Sequence, residues 1–123
     1  ITMATNSVNA LMVSLAQLME EGINVRMERY RNLAMQLRDG MRAAGMPPFT
    51  DDAKMNPVLT AGVMPHGINS AQIVEYLLEE YAIQISGGLG ELKSKIFRIG
   101  HMSPIMTSDD IQIVCDALKT FPN

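Results

Sequence analysis

Val8, Leu11, Met12, Leu15, Leu18 and Met19 recur at helical spacing, Thr5 or Asn6 stands ready to cap the turn before them, and Gly22 ends the run. The pattern predicts an amphipathic helix. After Asn24 a second stripe, Tyr30, Leu33, Ala34, Leu37, Met41 and Ala44, continues to Gly45 just ahead of Pro47 and Pro48, so a second helix is expected, packed on the first as a hairpin. The period then changes. Residues 58–64 alternate, which predicts a strand with Leu59, Ala61 and Val63 on one face, and Pro65, His66 and Gly67 turn the chain. Asn69 with Gln72 three residues on forms a capping box before a third helix carrying Ile73, Val74, Leu77, Leu78 and Tyr81. Two short strands, 83–86 and 96–99, flank the glycine turn 87–90, and Thr107 with Asp110 caps a last helix bearing Ile111, Val114, Ala117 and Leu118. The order ααβαββα predicts an α+β fold, a small, mostly antiparallel sheet of about three strands covered by helices on one face.

Composition narrows the class. A chain of 123 residues, 47% hydrophobic and 19% charged, suits one compact domain spanning 1–123. A net charge of -3 argues against nucleic acid as a partner. Asn9, Ser14 and Gln17 interrupt the apolar stretch 8–19, which falls short of the ~20 residues a bilayer requires, so neither a signal peptide nor a membrane span is expected. Cys115 is the only cysteine, which excludes an intrachain disulfide and a multi-cysteine zinc site and favours a cytoplasmic, reducing setting.

Few residues offer chemistry. If Phe97 and Ile99 face the core, Arg98 shares the opposite side of its strand with Ile96. Its planar, permanently charged fork suits a carboxylate, although on pattern alone an ordinary surface or salt-bridging arginine is the stronger reading. The 87–90 turn matches no phosphate-loop spacing and reads as a permissive connection between strands. His66 decorates a turn, His101 follows the Arg98 strand and could approach the same pocket, and the two are spaced for no metal pair. Cys115 fits a core position, and Met12, Met19 and Met41 fit flexible filling of apolar helix faces. The charges of the second helix, Arg26, Glu28, Arg29, Arg31, Arg38, Asp39 and Arg42, mix signs as a solvated face does.

The segment Ile83, Gln84, Ile85, Ser86, Gly87, Gly88, Leu89, Gly90 and the run Lys95, Ile96, Phe97, Arg98, Ile99, Gly100, His101, Met102 resemble the alanine-glyoxylate and serine-pyruvate branch of the class V, pyridoxal-phosphate-dependent aminotransferases. The likeness covers nearly the whole chain, with 1–22 as the first helix and the lead-in from a larger domain. It implies the C-terminal small domain of a homodimeric enzyme that moves an amino group from a small amino acid, alanine or serine, to a 2-oxo acid, glyoxylate or pyruvate. It also implies that Arg98 clamps the substrate carboxylate and that Thr2 contacts the cofactor phosphate of the neighbouring subunit. The family often has proline where Ala4 stands and glycine where Ser103 stands. No catalytic residue is expected here, because Lys54, Lys93, Lys95 and Lys119 match no imine-forming motif and the family's imine lysine belongs to the larger domain; the piece alone is expected to be inactive. The rival expectation is a non-catalytic α+β module that binds a small acid or regulates.

Overall fold

The computed structural model describes residues 4–122. Four helices and three strands follow one another as α1 (Thr5–Glu21), α2 (Ile23–Ala43), β1 (Leu59–Val63), α3 (Ser70–Tyr81), β2 (Ser86–Gly87), β3 (Ile96–Gly100) and α4 (Ser108–Lys119), with single 3-10 turns at Asp52–Lys54 and Gly90–Leu92. The sheet runs β1-β3-β2 with both pairings antiparallel, so the expected α+β layer is the one observed.

Local signals place α3 and α4. Asn69 accepts from the Ala71 amide and the Gln72 side chain accepts from the Asn69 amide, while Thr107 and Asp110 make the equivalent reciprocal pair. Ile73 and Leu77 from α3, Ile111, Cys115 and Leu118 from α4, and Leu33, Leu37 and Met41 from α2 meet in one core with Phe97 and Ile99. Every member of the stripe assigned to α2 is buried: Tyr30, Leu33, Ala34, Leu37, Met41 and Ala44. Burial also pushes the Cys115 thiol up, as a packing position does.

Three expectations are corrected. The first helix begins at Thr5 with Ala4 at the cap position, and none of its residues is buried; Val8, Leu11, Met12, Leu15 and Met19 form an exposed apolar face, with Met19 83% exposed. The two methionines of that face fill no core, and the helix meets α2 through its end instead of stacking on it: Glu21 pairs with Arg26 and Arg29. The strand expected at 83–86 starts only at Ser86. Ala82 takes a left-handed conformation to end α3, and the Ile83 amide returns to the Leu77 carbonyl, so 83–85 leave the helix without joining a ladder. Arg38 is no part of a solvated face. It is 1% exposed, with its Nε on Asp52 and an Nη2 hydrogen bond to the Thr50 carbonyl, which fastens the segment after α2 onto the helix.

The facing of β1 sets up the site. In β1 the buried residues are Thr60 and Gly62, so Leu59, Ala61 and Val63 occupy the outer side of the sheet. Gly62 lies opposite Phe97 in the ladder, and a Cβ there would come within 2.4 Å of the Phe97 ring. The aromatic ring occupies the space over the glycine, so the residues with the smaller or more polar side chains belong on the core side.

Candidate functional site

Directly paired residues of an antiparallel ladder share a face. Arg98 is paired with Ala61 on one side and with Ser86 on the other, at the centre of the three strands. The outer face therefore presents Arg98 between Leu59, Ala61 and Val63 on β1 and Ser86 on β2. Phe97 and Ile99 are buried on the inner face, as the alternation predicted. Ile96 belongs to the Arg98 side and is nevertheless buried, because the loop 88–95 folds over it; a Cβ on Gly88 would stand 2.8 Å from Ile96 Cγ1.

Arg98 is half-buried. Its Nε donates to the Gly87 carbonyl at 2.8 Å, and among the described residues no carboxylate pairs with it. Nη1 and Nη2 of the guanidinium thus retain four N–H donors for an anion. The apolar flank of Leu59, Ala61 and Val63 lowers the competition from water that a fully solvated arginine would meet.

His101 does not join this site. It continues the inner face of β3, fully buried, with Nε2 3.0 Å from Thr60 Oγ1 and Nδ1 without a partner. Burial lowers its pKa by disfavouring the charged ring. His66 is exposed on its turn. Among the described residues no group of three or more His, Cys, Asp or Glu side chains gathers as a metal requires, and no helix is long and apolar enough to cross a membrane. Thr2 lies outside the described residues.

A groove of about 810 Å³ borders the glycine turn, lined by Ser70, Val74, Leu78, Gly87, Gly88 and Lys93 among others, and Arg98 is not part of its wall. Lys54, Lys93, Lys95 and Lys119 are all exposed, and Lys119 pairs with Asp116. The described residues therefore leave Arg98 able to take an anion. They do not fit the whole of a pyridoxal cofactor, for which no sheltered lysine is present.

No protein-family model matches the chain. It is 33% identical over 118 residues to the (S)-ureidoglycine–glyoxylate transaminase of Bacillus subtilis, covering 96% of this chain and 28% of that protein. It is likewise 33% identical over 114 residues to the alanine–glyoxylate aminotransferase of Callithrix jacchus, covering 92% of this chain and 28% of the relative. In the crystal structure of pyridoxamine–pyruvate aminotransferase from Mesorhizobium loti, 30% of the chain superposes on 96% of this one with a TM-score of 0.88 at 28% identity. The chain spans less than a third of the relatives it matches. Sequence and fold together relate it to the C-terminal domain of the class V, pyridoxal-phosphate-dependent aminotransferases of the alanine–glyoxylate branch.

Proposed function

We propose that the intact protein containing this chain is a homodimeric, pyridoxal-phosphate-dependent transaminase that moves an amino group from alanine or serine to glyoxylate or pyruvate. In it this domain supplies the substrate-carboxylate clamp. The observation that carries the proposal is Arg98: a guanidinium anchored through Nε, unpaired with any described carboxylate, on an open and apolar sheet face. Every amino donor and 2-oxo acceptor of such a reaction carries a carboxylate next to the reacting carbon. A bidentate arginine fixes that group and so orients the carbon.

The cofactor, when bound, supplies the electron sink, and its lysine comes from outside the described residues. Thr2 is assigned to the cofactor phosphate of the neighbouring subunit on the strength of the family likeness. The domain by itself is expected to be inactive. In the intact protein, Arg98→Ala should lower kcat/KM for L-alanine and for glyoxylate by about 100-fold, the scale of removing one partner from a sheltered charge pair. Arg98→Lys should recover little of it, because a point charge does not reproduce the fork. Steady-state kinetics on both substrates test this, and an unchanged kcat/KM in Arg98→Ala excludes the clamp.

A further inference from the structure

The glycine turn that reads in sequence as a plain connection is tied directly to Arg98. Nε of the guanidinium donates to the Gly87 carbonyl at 2.8 Å. A planar guanidinium can meet a carboxylate side-on, through Nε and one Nη, or end-on, through Nη1 and Nη2. With Nε already committed to Gly87, the end-on pair is what is left.

The turn that carries this carbonyl is fixed by its own packing. The Gly88 amide donates to the Ile96 carbonyl at 2.9 Å, which continues the β2-β3 pairing one step into the turn. Gly88 can occupy that position only without a side chain, since a Cβ would lie 2.1 Å from the Leu92 carbonyl oxygen of the returning loop. That loop is secured in turn by Ser70, a fully buried residue at the start of α3. Ser70 Oγ donates to the Lys93 carbonyl at 2.7 Å, and its amide donates to the Ser94 carbonyl at 3.0 Å. A Cβ on Gly87 would stand 3.3 Å from the same Ser70 Oγ, so Ser70 also sets how closely the turn approaches the helix.

We propose that the Gly87 carbonyl is a positioning group for Arg98, that it restricts the arginine to end-on recognition of a carboxylate, and that Gly88 and Ser70 are positioning residues acting through it. This rests on the clamp reading of Arg98. It adds the geometry of recognition and assigns a role to two residues that touch no substrate.

The test uses the intact protein labelled with 15N at arginine Nε, with the Arg98 resonance identified by its loss in Arg98→Lys. In the unsubstituted protein the Arg98 Nε–H should exchange with solvent at least about tenfold more slowly than a free arginine side chain, as a hydrogen-bonded, half-buried donor does. Gly88→Ala, and the milder Ser70→Ala should the first not fold, should remove that protection. Each should raise KM for L-alanine and glyoxylate by about tenfold while leaving kcat within about threefold, the signature of weakened substrate binding and not of lost chemistry. An Arg98 Nε–H that exchanges freely in the unsubstituted protein overturns the inference without reference to any variant. So do variants that lose the protection and keep both KM values. An Arg98→Ala protein with unchanged kcat/KM overturns the clamp reading instead, so the two failures are told apart.

Discussion

On the inner side of the sheet Thr60, Gly62, Phe97 and Ile99 are buried in the domain core, whereas on the outer side Leu59, Ala61, Val63 and Arg98 stay at least partly open. The same three strands therefore carry two kinds of constraint. Inside, shape decides: a ring lies over a glycine, and one hydroxyl meets one imidazole nitrogen. Outside, a single cation stands in an apolar surround with its terminal nitrogens unpaired by any described acid. Substitutions on the inner face should cost stability, and those on the outer face should cost recognition.

The largest effect is expected from Phe97→Ala, which empties the centre of the inner face and should destabilise the domain by about 3–5 kcal/mol in urea or thermal unfolding. Gly62→Ala attacks the same contact from the opposite strand. With 2.4 Å between the new Cβ and the Phe97 ring, a loss of about 1–3 kcal/mol is expected, and the double variant Gly62→Ala, Phe97→Leu should lose less than the sum.

His101 supplies a pH dependence to the inner face. Its folded pKa lies below the ordinary value of 6.5, so the unfolded chain binds the proton more readily. The associated stability is complete above that value and is lost as pH falls below it, at no more than about 1.4 kcal/mol per pH unit for one proton. Unfolding followed from pH 7.5 down to 5 should show the decline, and His101→Gln should flatten it. The lowered aspartates, among them Asp110 through its Thr107 cap, act in a separate window below their ordinary 3.8. The smallest effect belongs to the outer face. Leu59, 39% exposed, should tolerate Leu59→Gln within about 0.5 kcal/mol of stability, while the more polar flank weakens carboxylate binding at Arg98.

Much of this division was legible in the chain, and what was not has a common cause. The stripes of α2 and α4 and both capping boxes are legible because those signals are local, whereas in α3 Ile73 and Leu77 are buried but Leu78 and Tyr81, on the same predicted stripe, are exposed. The orientation of Arg98 followed from Phe97 and Ile99 by simple alternation. Alternation groups Leu59, Ala61 and Val63 on one face of β1, and apolar character alone would favour that face for the core over Thr60 and Gly62. What reverses the preference is Phe97, 35 positions beyond Gly62 and invisible to local periodicity. Arg38 looked solvated because its partners, Thr50 and Asp52, arrive only after the helix has ended. The first helix teaches a related lesson: its apolar stripe is real, yet nothing among the described residues buries it. The Gly87 carbonyl left no signal at all, since a backbone acceptor has no letter of its own.

Whether Arg98 acts in recognition or in folding is addressed most directly by one paired measurement on the intact protein. In Arg98→Ala, kcat/KM for glyoxylate and the unfolding midpoint are determined on the same sample. A role in recognition predicts a fall of about 100-fold in kcat/KM with stability within about 1 kcal/mol of the unsubstituted protein. Full activity with lowered stability would contradict it and return Arg98 to the role of a structural cation.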